Sequence, residues 1–151
     1  MKNPKKILKV LVINGPNLNM LGKREPEIYG FQTLEDINAD LIKLGKKIGL
    51  EVETYQSNHE GDIIEKIQNA KDIFSGLIIN PAALTHSSIG IRDAILLLKM
   101  PVIEVHLSNV HKRETFRQKS MIADIVDARL MGFGPFGYLM ALEAMRNMLC
   151  I

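Results

Sequence analysis

Tryptophan is absent from the 151 residues, cysteine occurs once, and there is neither a long apolar run nor a large excess of charge of one sign. The single Cys150, next to the C-terminus, excludes an internal disulfide and a cysteine-rich zinc site. Nineteen Lys and Arg against seventeen Asp and Glu leave a net charge of +2, without the concentrated basic footprint of a nucleic-acid binder. The apolar run Val10–Ile13, which follows Lys2, Lys5, Lys6 and Lys9, is too short for a signal or membrane segment. A cytoplasmic protein with no membrane partner is therefore expected, with residues 1–8 as a solvated basic tail. The chain is too short for a (β/α)8 barrel of about 250 residues. It is long enough to bury roughly 70% of its unfolded surface. One globular domain over 1–151 is expected, with no repeat, low-complexity segment or internal linker.

What is present is an alternation of short β-type runs with amphipathic stripes, the pattern of parallel strands joined by crossover helices. Val10–Ile13, Leu77–Ile79 and Val102–Ile103 are continuous apolar runs, as in strands covered on both faces. Leu50–Tyr55 and Val126–Leu130 alternate instead, which places them at the sheet edges. Right-handed crossovers then favour the order 2-1-3-4-5, a flavodoxin-like α/β sandwich. Thr33 and Asp36 make a capping box before the stripe Leu34, Ile37, Leu41, Leu44 and Ile48, which Gly49 closes. Asn58 is expected to cap a second helix, with Ile63, Ile64 and Ile67 inward. Ile91, Ala94, Ile95 and Leu98 stripe a third, Asn109 caps a fourth, and Tyr138, Leu142, Met145 and Leu149 mark the last.

In such a sheet the ligand crevice lies beyond the carboxyl ends of the strands, where the strand order reverses. Polar residues gather there: Asn14–Asn17, Asn80 and the stretch Glu104–Asn109. Between Gly15 and Gln32 there is no apolar period, and an unstructured connection of that length suggests a lid, with Gly22 and Gly30 as candidate hinges. Arg24 and Glu25 could equally form a surface ion pair, and Tyr29 a ring packed on the sheet.

Among the four histidines, His59 and His111 read as surface residues, while His86 and His106 fall at strand ends. Glu104, two residues before His106, shares its face of a regular strand and could fix the imidazole's tautomer for general acid work. A charge-paired core histidine without chemistry remains the alternative. Arg113 and Arg117, four apart on the expected fourth helix, would share a face toward a ligand or toward solvent. No Walker loop, Gly-x-Gly-x-x-Gly or metal-ligand spacing occurs, and Gly132–Gly137 reads as a tight strand-to-helix turn. No lysine ends an expected strand. Fold alone would also admit a phosphoacceptor receiver or a flavin module. A receiver, however, wants acidic groups where this chain has Asn14–Asn17 and Asn80.

The blocks Ile13–Gly30, Gln56–Gly61, Asn80–Ser88, Ile103–Val110 and Gly132–Tyr138, in order and spanning nearly the whole chain, resemble those of type II 3-dehydroquinate dehydratases. The resemblance implies a flavodoxin-like subunit assembled as trimers into a dodecamer. It also implies cofactor-free trans dehydration of a carboxylated cyclohexane substrate, 3-dehydroquinate, through an enolate. It makes Tyr29 the base, Arg24 the cation that holds it as phenolate, and Asn17 a stabiliser of the enolate through a water. His106, oriented by Glu104, becomes the general acid. Asn80, the backbone at Leu107 and Ser108, and the Ser108 hydroxyl would hold the carboxylate. His86, Asp93 and Arg117 would take ring hydroxyls, with Arg113 as a lid contact. Around Asp127–Ala128–Arg129 the family often has small residues, and the departure here is expected to bear on subunit packing rather than on the site.

Overall fold

The computed structural model describes residues 6–23 and 25–150, with Tyr29 described through its backbone alone. Five parallel strands form one sheet of order β2-β1-β3-β4-β5: β1 Leu8–Asn14, β2 Leu50–Gln56, β3 Gly76–Asn80, β4 Val102–His106 and β5 Ala128–Met131. The expected order and edge strands are observed. β1, β3 and β4 are buried along most or all of their length, whereas β5 is half-buried throughout. β5 begins two residues later than the alternation suggested, because Asp127 is used to close the sheet's lower edge. Its backbone N–H donates to Val102 O, and its carboxylate accepts from the Val102 N–H. The expected tail is also shorter at its C-terminal end, since Leu8 already pairs with Leu50.

Successive residues of the central strands feed opposite faces of the sheet. Val10, Val12, Ile78, Ile103 and Val105 pack on one side against α2 (Leu34–Ile48) and α5 (Phe136–Leu149). Leu11, Ile13, Leu77, Ile79 and Val102 pack on the other against α3 (Glu60–Ala70) and α4 (Ile89–Leu96). The capping box that opens α2 is present in both directions, at 3.2 and 3.0 Å, and Gly49 ends the helix in the left-handed region.

Three local expectations are corrected. Asn58 does not cap α3, whose N-cap is His59 without a side-chain bond; the Asn58 Oδ1 is engaged by Asn17 and Gln56 instead. The helix expected after Asn109 is replaced by two short 3-10 turns, Val110–Lys112 and Thr115–Arg117. Only Val110 of the two turns is buried and Phe116 is exposed, so no apolar stripe exists to hold a longer helix on the sheet. The segment 15–32 is not structureless: it holds a 3-10 turn at Leu18–Met20 and the short helix α1 at Pro26–Tyr29, and Leu18 and Leu21 are buried in the core.

Candidate active site

A cleft opens beyond the carboxyl ends of β1, β3 and β4. Its floor depends on a close approach: a Cβ on Gly15 would stand 2.3 Å from the Pro81 carbonyl oxygen, so only glycine lets β1 leave the sheet beside β3. Asn17 and Ala82, the residues that turn away on either side, both adopt left-handed backbone, at φ 68° and 53°. For a non-glycine residue such a conformation costs on the order of 1 kcal/mol or more and persists only where the surroundings enforce it. Here they do. The Asn17 N–H donates to Asn58 Oδ1 at 2.9 Å, and the Ala82 N–H donates to Asn80 Oδ1 at 3.1 Å.

Asn17, Asn80, His86 and His106 line the cleft, together with Leu107, Ser108, Arg113 and Arg117. The structure thus brings eight of the expected residues, from four chain segments, to one cleft. Behind His106, Glu104 is fully buried and saturated with donors. His106 Nε2–H reaches its Oε1 at 2.7 Å, Ser120 Oγ lies 3.1 and 3.2 Å from its two oxygens, and Thr85 Oγ1 donates to Oε1. Arg129 Nε donates to Oε2 at 2.6 Å. Burial by itself would raise the Glu104 carboxyl, but the His106, Thr85 and Arg129 bonds outweigh it and hold it at about 2. The carboxylate accepts from Nε2–H, so the neutral His106 ring keeps Nδ1 free of that bond, which is the tautomer control expected of an acid–base histidine.

His86 stacks beside it, with ring centroids 6.5 Å apart. Its Nδ1–H donates to Lys119 O at 2.7 Å. Burial, and then the nearby His106 and Arg117, push His86 down from the ordinary histidine value against the opposing pull of that carbonyl. Glu114 lies between Arg117, 2.7 Å away, and Arg113, 4.0 Å away, and so ties the two arginines of the 3-10 turns together at the cleft rim.

Asp93 is not brought to the cleft: it is exposed on α4. Arg24 and the Tyr29 side chain lie outside the described residues. Arg129, Ser120 and Thr85 were missed as partners of Glu104. The signal for Arg129 was weak, since its place opposite Glu104 follows from the β4–β5 register. The departure at Asp127–Arg129 therefore reaches the site itself, contrary to expectation. Also missed was the hydroxyl of Tyr138, read only as part of a core stripe. It accepts from Asn80 Nδ2 at 2.8 Å and donates to Asn14 Oδ1 at 2.6 Å. Full burial pushes that phenol well above its ordinary value, so it serves as a neutral hydroxyl.

Comparison with known proteins identifies the family. The profile of the family described as "Dehydroquinase class II" matches residues 8–146. The chain belongs to the class II dehydroquinase family. It is 54% identical over 140 residues to the 3-dehydroquinate dehydratase of Geotalea daltonii, covering 93% of this chain and 97% of that one. With the enzyme of the same name from Francisella tularensis subsp. novicida it shares 56% over 133 residues, 88% of this chain and 90% of the other. Among solved structures, type II dehydroquinase from Propionibacterium acnes superposes with a TM-score of 0.89 at 43% identity, over 92% of this chain and 96% of that chain. A dehydroquinase fold thus carries the cleft, and its strand order is the flavodoxin-like one read from the sequence. Receiver and flavin readings have no support in this family.

Proposed function

We infer that the chain is a type II 3-dehydroquinate dehydratase, a hydro-lyase that converts 3-dehydroquinate to 3-dehydroshikimate in the shikimate pathway. The observation that carries the reading is the buried Glu104 carboxylate bonded to His106 at the mouth of a cleft lined by Asn80, Ser108, Arg113 and Arg117. Such a pair suits protonation of a departing hydroxyl, and the amide, hydroxyl and guanidinium groups suit a carboxylated, hydroxylated ring.

In this reading Tyr29, held as phenolate by Arg24, removes the proton beside the ketone. The resulting enolate is stabilised through a water on Asn17. The enolate then collapses to the conjugated enone as the C–O bond breaks, and His106 delivers its proton so that water leaves. Asn80, Ser108 and the backbone at Leu107 and Ser108 hold the carboxylate, while His86 and Arg117 hold ring hydroxyls and Arg113 contacts the lid.

The lid proposed over 15–32 would be anchored by Leu18 and Leu21, which are buried in the core. A Cβ on Gly22, which sits at φ +84°, would stand 2.8 Å from Phe31 O, so the two ends of 22–31 meet at a narrow neck.

The same reading makes the chain a cytoplasmic homo-oligomer, a dodecamer built from trimers. Ile89 and Leu96 of α4, and Leu97 just after it, are more than half exposed, which favours a subunit contact there. Asp93 on the same helix would then reach a substrate from a neighbouring copy.

The test is direct. Adding 3-dehydroquinate should produce the rising ultraviolet absorbance of the enone, and Tyr29→Phe should abolish it while the circular dichroism stays unchanged. Full activity in Tyr29→Phe would remove Tyr29 from the mechanism.

A further inference from the structure

Glu104 and Arg129 are register partners on adjacent parallel strands, so their side chains rise from the same face of the sheet. Arg129 Nε takes the Oε2 oxygen at 2.6 Å, which leaves Oε1 to His106 at 2.7 Å. We propose that Arg129 is a positioning residue for the dehydration, holding Glu104 ionised and in the one orientation that presents His106 to the cleft. The proposal rests on the reading of His106 as general acid.

A carboxylate with no exposed surface is costly unless paired, and the hydroxyls of Thr85 and Ser120 bring dipoles but no net charge. His106 is a cation only while it holds the proton it must deliver. Once that proton is given to the leaving hydroxyl, the guanidinium of Arg129 is the charge still bonded to Glu104. Among the described residues, the other charged groups near the pair are His86, stacked on His106, and Arg113 and Arg117, which line the same cleft. The hydrogen bonds to Glu104 come from His106, Thr85, Ser120 and Arg129. By fixing Oε2, Arg129 acts with Thr85 and Ser120 to hold the carboxylate with Oε1 toward Nε2 of His106. Arg129 is about one-fifth exposed, placing its charge at the sheet edge where part of it stays solvated.

Arg129→Met removes the charge and keeps much of the packing, Arg129→Lys restores the charge, and His106→Ala serves as reference. In Arg129→Met, kcat for dehydration should fall about tenfold, a fraction of what a general acid contributes. KM should change less than twofold, because Arg129 does not line the cleft. Exchange of the substrate's α proton with solvent deuterium should continue near the wild-type rate, and the acid limb of the kcat profile should move to higher pH. Arg129→Lys should recover most of the rate.

A purely structural role predicts instead that exchange and dehydration fall together, with no movement of the acid limb and no rescue by lysine. That pattern, or a wild-type kcat in Arg129→Met, overturns the proposal. If His106→Ala leaves dehydration as fast as exchange, the reading of His106 fails and the proposal with it. If His106→Ala is selectively slow while Arg129→Met is normal, the proposal alone fails.

Discussion

The Nδ2 of Asn80 donates to the Tyr138 hydroxyl at 2.8 Å, across 58 positions of sequence and directly behind the cleft. With Oδ1 of the same amide accepting from the Ala82 N–H, both ends of the Asn80 side chain are assigned, and the remaining Nδ2–H is the one left for a ligand. Tyr138→Phe would free the Asn80 amide to rotate. It would also leave both polar atoms of the buried Asn14 amide unpaired, since Asn14 Nδ2 has no partner among the described residues. We expect a loss of about 1–3 kcal/mol in urea unfolding. KM for substrate should rise more than kcat falls if the Asn80 amide, which lines the cleft, holds the carboxylate as proposed. An unchanged KM at reduced stability would separate Tyr138 from substrate binding.

The acid response of the fold should carry the signature of Glu104. Its folded-state value of about 2 lies below its ordinary 4.5, so the stabilisation is fully present above pH 4.5 and is lost as the pH falls toward 2. The difference corresponds to roughly 3 kcal/mol at most. Urea melts between pH 6 and pH 3 should show the wild type losing stability with a steeper slope than Glu104→Gln, which has no carboxylate to protonate. Parallel slopes for the two proteins would show that Glu104 is not held so low.

Among the described residues no lysine lines the cleft. The substrate ketone should therefore form no Schiff base. Borohydride added together with 3-dehydroquinate should leave both activity and protein mass unchanged, and a reduced adduct on a lysine would contradict the enolate route.

Lys23 is exposed just beyond the buried anchor Leu21, at the start of the stretch assigned to the lid. Trypsin should cleave there early in the free protein, as at exposed loops generally. A saturating carboxylated ring analogue should slow that cut without slowing trimming of the N-terminal lysines, as mass spectrometry would resolve. Equal rates at both places, with and without the analogue, would argue against a lid over 22–31.

Much of this protein was legible in one dimension because its hydrophobic pattern is local. The continuous apolar runs of β1, β3 and β4 and the alternation of β2 specified which strands are central and which are edges. The Thr33–Asp36 box and Gly49 bounded α2, and the spacing of Glu104 and His106 put both on one face of β4. Family resemblance then supplied roles for residues such as Asn80 and Ser108, whose types alone are common in turns.

The tertiary structure decided what depends on contacts between distant segments. Two 3-10 turns bridged by Glu114 replaced the expected helix at Arg113–Arg117, because no apolar stripe could dock it. Asn58 became a brace for Asn17 rather than a helix cap. Asp93 came to lie on the exposed face of α4, away from its own chain's cleft. Arg129 and Tyr138 acquired polar partners 25 and 58 positions away through the β4–β5 register and the packing of α5 behind β3. Periodicity reports which face of an element is buried. Which buried polar groups meet across that face depends on register and interlayer packing, and these are set by the whole sheet rather than by any one segment of it.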